Sequence, residues 1–116
     1  MKIERVCNHD YHSIYHNSDI DDNPECYGLK EIDRLSFTDE LYEFDYRVVW
    51  QDKENRLWTA RDYGCSCPKP FEDVTELERL TSIKMLQDEY IDELTDVKME
   101  DWLRFRGNIE RALCGI

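Results

Sequence analysis

The sequence predicts an α+β fold, a small antiparallel sheet of about three strands covered by two C-terminal helices. Three observations predict it. Residues 42–51 alternate between apolar and polar side chains, a polar turn at 52–56 leads into a second β-prone run, and from Asp73 onward apolar residues recur every three or four positions. Strands first and helices later is the order of an α+β layer architecture.

The first 26 residues form a compositional block of their own. Cys7 and all three histidines, His9, His12 and His16, fall within residues 7–16, and the acidic stretch from Asp19 to Glu25 reads as a loop. The expected organisation is therefore an N-terminal arm, 1–26, followed by one α+β domain, 27–116. A length of 116 residues suits one domain.

The clearest strand places Tyr42, Phe44, Tyr46, Val48 and Trp50 on one face. Aromatic and β-branched side chains fit a pleated, half-buried surface. Leu57 to Arg61 returns as the second strand of a hairpin. A lone hairpin is marginal in water, so Leu29 to Phe37 is the expected third strand. Pro68 and Pro70 forbid regular structure between Gly64 and Asp73, which reads as a hinge. Beyond it Val74, Leu77, Leu80, Ile83, Leu86, Tyr90, Ile91 and Leu94 keep helical spacing, and Thr75 with Glu78 has the capping-box pattern. A second helix is expected from Met99 to Leu113, with Met99, Trp102, Phe105, Ile109 and Leu113 inward and Gly115 just past its end.

Charge narrows the function. Twenty-seven acids face fifteen bases, a net charge of -12. Such a chain repels nucleic-acid backbones and anionic membranes and suits a protein with a basic surface. No apolar run approaches the ~20 residues of a membrane span. The segment Met1-Lys2-Ile3-Glu4-Arg5 lacks the apolar core of a signal peptide, so a cytoplasmic location is expected. Acids crowd one stretch: Asp88, Glu89, Asp92, Glu93, Asp96, Glu100 and Asp101, opposed only by Lys98. On a helix, like charges four apart repel. A face that carries them repeatedly is a candidate partner-binding surface, one that could imitate the phosphate row of DNA; the alternative is a solvated face that serves solubility. The open edge of the sheet offers another docking mode, strand addition.

Five cysteines, at 7, 26, 65, 67 and 114, argue against a disulfide framework in a cytoplasmic chain. Cys65 and Cys67 lie on one side of an extended backbone. With Cys7 and His9 they make a candidate zinc set. The alternatives are small apolar residues at a strand end, or a reactive thiol. His12 and His16 share a helical face, but no carboxylate pattern accompanies them. No phosphate-cradling loop or nucleophile elbow is present, so no catalytic residues are assigned and no cofactor other than zinc is considered.

The run Phe44-Asp45-Tyr46-Arg47-Val48-Val49-Trp50, then Arg56-Leu57-Trp58-Thr59-Ala60, then Asp62-Tyr63-Gly64-Cys65-Ser66-Cys67-Pro68-Lys69-Pro70-Phe71-Glu72-Asp73 resembles a family of small uncharacterised bacteriophage and prophage proteins. The shared core is a hairpin followed by a Gly-Cys-Ser-Cys-Pro-x-Pro-Phe-Glu-Asp segment, over roughly residues 29–73. The family supplies no activity and no catalytic residues. It implies a bacterial host cell, and with the charge it points to a protein that binds and inhibits a host defence or nucleic-acid-handling factor through its acidic surface. A small zinc-binding structural protein and a thiol-based enzyme are the alternatives.

Overall fold

The computed structural model describes residues 20–38, 42–65, 70, 71, 74, 76–89 and 98–115, for 88 and 89 the backbone only. A 3-10 turn at Pro24–Tyr27 ends on Gly28, whose φ of 71° is the left-handed cap that glycine adopts without strain. Four strands follow: β1 (Leu29–Ser36), β2 (Glu43–Asp52), β3 (Leu57–Cys65) and β4 (Glu78–Leu80). Two helices close the order, α1 (Ile83–Glu89) and α2 (Met99–Cys114). The sheet is antiparallel, with spatial order β1-β2-β3-β4. The α+β class holds, with four strands rather than three.

The hairpin forms as its sequence dictates. Asn55, at φ 67°, ends a three-residue loop in the left-handed region, which asparagine tolerates. Asp52 organises the turn. Its Oδ1 accepts the backbone N–H groups of Glu54 and Arg56, both at 2.9 Å, and its Oδ2 accepts Arg56 Nε–H at 2.8 Å and Trp58 Nε1–H at 2.9 Å.

Both faces of the sheet are covered, and the helices lie on the face opposite to the expected one. Phe44, Tyr46, Val48 and Trp50 do share a face, but Ile20, Leu29, Phe71 and Leu77 pack on it. The helices cover the other face, where Val49, Leu57, Leu35 and Leu80 meet Leu86, Trp102, Phe105 and Ile109. Ile20 is fully buried, so the segment grouped by composition with the N-terminal arm supplies a core residue from position 20.

A bulge in β1 serves this two-sided core. Leu29 pairs with Asp52 and Leu35 with Arg47, with a register shift between Glu31 and Asp33. Six positions apart, Leu29 and Leu35 would share a face in a regular strand. The extra residue, Ile32, sends them to opposite faces, and each fills a different core.

The helical periodicity expected from Asp73 begins only at Ile83. Leu77 and Leu80 are three apart, which suits one face of a helix. In a strand the same spacing places them on opposite faces, and this sheet has a core on each. Leu80 pairs with Leu57 on the helix side, and Leu77 joins the aromatic side. Glu78 pairs with Thr59 in β4, so it caps nothing; Ser82 does, its Oγ accepting Lys84 N–H at 3.1 Å. β3 likewise runs through Gly64 and Cys65, the first two residues of the expected hinge. In α2, Trp102, Phe105 and Ile109 face inward as expected, but Met99, in the first turn, is 67% exposed.

Phe71 anchors the aromatic side. It is fully buried, stands edge-on to Trp50 at 5.4 Å between ring centroids, and has φ 64°. A bulky residue in that region is strained, and Asp62 Oδ2 secures it by accepting its N–H at 2.7 Å.

Candidate functional site

The acidic run spans the end of α1 and the start of α2. Asp88 and Glu89 fall in the last residues of α1, and Asp92, Glu93 and Asp96 lie outside the described residues. Glu100 and Asp101 open α2, where carboxylates interact favourably with the positive end of the helix dipole. Glu100 is exposed. Asp101 accepts a hydrogen bond from Arg104 Nη1 at 3.1 Å. Beside them, Met99 and Leu103 stand one turn apart with 67% and 57% of their surface in solvent. Leu103 falls off the apolar stripe of Trp102, Phe105 and Ile109, a signal legible in the sequence that the inward assignment of Met99 obscured.

Cys65 ends β3 opposite Glu43 and is exposed, rather than buried at a strand end. It borders a cleft of about 280 Å3 lined also by Thr38, Glu43, Phe44, Asp45 and Tyr63. The other members of the candidate zinc set, Cys67, Cys7 and His9, lie outside the described residues, as do His12 and His16. Among the described residues no three His, Cys, Asp or Glu side chains gather where a metal could sit. Cys26, which carried no sequence signal, is buried in the turn before β1.

A second cleft, of about 330 Å3, opens where β4 ends along β3, between Arg47, Thr59, Arg61, Val74, Glu76 and Glu78. Arg47 is 4% exposed and donates from Nη1 to Thr59 Oγ1 at 3.4 Å, and Thr59 Oγ–H donates to the Val48 carbonyl at 2.8 Å. Arg61 is held by both Asp45 oxygens at 2.8 Å and lies over the Phe37 ring. The cleft thus combines a buried guanidinium with two carboxylates on its rim.

On the aromatic face, Arg34 stacks over Tyr46 and bonds Asp21 Oδ1 at 2.7 Å and both oxygens of Glu31. Burial raises the Asp21 carboxyl above its ordinary range by more than Arg34 lowers it. For Arg34, burial works against the charge, but the bonds it donates to Glu31 and Asp21 outweigh it and raise its pKa. For Asp52, burial is likewise outweighed, here by the Trp58, Arg56 and Glu54 donors, so its carboxyl sits below the ordinary range.

The edges of the sheet are poor templates for strand addition. β1 is bulged, and at Arg34 the backbone N–H is taken by Asp33 Oδ1 at 2.8 Å and the carbonyl by Arg104 Nη2 at 3.2 Å. β4 is three residues long.

The family model for a domain of unknown function (DUF7574) matches residues 18–111, from just before the buried Ile20 into the last turn of α2. The chain belongs to the DUF7574 family. The match therefore takes in the four described strands, α1 and α2 as far as Arg111, together with Ile20 and Cys26 ahead of β1. No curated protein matches the chain, and no solved structure does. Within the match, the conspicuous Pro-Phe segment includes Phe71, a core anchor.

Proposed function

We propose that this protein is a small acidic binding module that docks on a basic surface of a host protein and inhibits it, with the carboxylates between Asp88 and Asp101 making the contact. The observation that carries the reading is that half of the -12 charge falls in that stretch, where seven carboxylates meet one lysine. Both sheet faces are occupied by the protein's own core, which leaves helix exteriors and loops for a partner. Among the described residues no helix is long and apolar enough to cross a membrane, in keeping with a partner other than lipid. The resemblance to phage proteins supplies the host context.

The test is capture from bacterial lysate with tagged protein at low and moderate salt, in parallel with an Asp92→Lys, Asp96→Lys double variant. The reading expects one dominant basic partner, released as salt screens exposed charge over ~8 Å and absent from the variant's capture. Undiminished capture by the variant counts against this surface.

A further inference from the structure

We infer that the outward face of α2 pairs with the same face of a second copy of this chain, antiparallel, across a two-fold axis. The inference starts from Gly107. It sits in the interior of α2, where glycine weakens a helix, and nothing lies within 4 Å of where its Cβ would be. Neither a positive φ nor internal crowding calls for glycine there. A missing side chain on an outward face lets another backbone approach closely. One turn before it, Leu103 is 57% exposed, and Met99 one turn earlier is 67% exposed. The face therefore offers a protruding leucine beside a notch.

The flank of this face is self-complementary in charge. Glu100 and Arg111 are both exposed. Eleven residues apart, they lie about three turns along the same side of the helix. In an antiparallel pair, the register that sets Leu103 against the partner's Gly107 also brings Glu100 within one residue of the level of the partner's Arg111, on the same flank and twice by symmetry. Arg104 and Arg106 already bond carboxylates of this chain, Asp33 and Asp101 for the one and Glu110 for the other, whereas Arg111 donates to the neutral Asn108 Oδ1. Antiparallel packing also opposes the two helix dipoles favourably. The apolar centre and the local pairs act against the repulsion between two acidic chains, which salt screens.

The experiment is sedimentation or light scattering of the full chain across a concentration series, at low and high salt. The expected result is a mass rising from 14.1 kDa toward twice that value, with the dimer persisting at high salt. Gly107→Leu should abolish the dimer while raising the monomer's thermal midpoint, two opposite effects that a folding defect cannot produce together. Glu100→Arg and Arg111→Glu should each weaken self-association, and mixing the two variants should restore it as a heterodimer. Glu100 belongs to both the dimer face and the acidic run, so the Asp92→Lys, Asp96→Lys variant, which leaves Glu100 in place, should dimerise normally while losing host capture, and that pair of readouts tells the two surfaces apart. A chain that stays monomeric up to millimolar concentration, or a Gly107→Leu variant that still dimerises, would overturn the inference.

Discussion

Asp33 on β1 and Arg104 on α2 meet at 3.2 Å between Oδ2 and Nε, across 71 positions of sequence. The same Oδ2 accepts Asn108 Nδ2–H at 2.9 Å, and Oδ1 accepts the Arg34 backbone N–H at 2.8 Å. One carboxylate thus ties the edge strand to the helix and occupies the Arg34 N–H within the strand. Asp33→Ala is expected to lower unfolding stability by about 1–2 kcal/mol, since it strands two partly buried donors, Arg34 N–H and Asn108 Nδ2–H. Denaturant titration measures the loss, and faster hydrogen exchange at Arg34 locates it. An unchanged midpoint would show that the link contributes nothing.

Asp52 contributes to the acid limb of the stability curve. Its folded pKa is lowered, so its contribution is present above the ordinary carboxylate value of ~3.9 and is lost as pH falls through the lowered one. Asp21 has the opposite sign. Its folded pKa is raised, so its contribution is present below the ordinary value and is lost as pH rises through the raised one. Urea midpoints measured from neutral to acid pH should therefore fall less steeply in Asp52→Asn than in the wild type, and more steeply in Asp21→Asn. Parallel curves for all three proteins would contradict the assignment.

Phe71→Ala should cost about 3–5 kcal/mol, the range for emptying a buried aromatic site. Trp50 is its ring partner, and Trp58 and Trp102 also emit, so the loss is read from the urea midpoint rather than from emission at one site. Asp62→Ala should cost less, about 1–2 kcal/mol, by releasing the Phe71 N–H. A Phe71→Ala chain as stable as wild type would mean that the aromatic core closes without its anchor.

Gly107→Ala should raise stability by roughly 0.5–1 kcal/mol, because an open, helical site accepts a methyl group and loses glycine's backbone entropy in the unfolded chain. Thermal melts at low protein concentration isolate this effect. A lower midpoint would indicate a packing constraint at Gly107.

The hairpin was readable because two independent signals agree there, an alternation of period two in β2 and a turn rich in polar residues. Which face the helices cover was not readable. Val49 lies between Val48 and Trp50, and a strand with cores on both sides loses the contrast that tells inside from outside. Leu77 and Leu80 misled for a related reason, since a spacing of three fits one side of a helix or both sides of a two-sided sheet. The bulge at Ile32 had no local signature, because pairing with β2 creates it. At the candidate site, composition marked the acidic run, and the structure sets Glu100 and Asp101 at the head of α2. The link from Asp33 to Arg104 was beyond reach, since nothing local joins residues so distant in the chain.

At Arg34 the edge of the sheet spends its backbone groups on its own side chains. A ladder of amides and carbonyls accepts almost any extended peptide, so an edge left open is promiscuous by construction. With that generic grip reduced at Arg34, the selectivity of the partner contact proposed above would rest on side chains, and single substitutions on the helix exteriors would change it while the four described strands stay as they are.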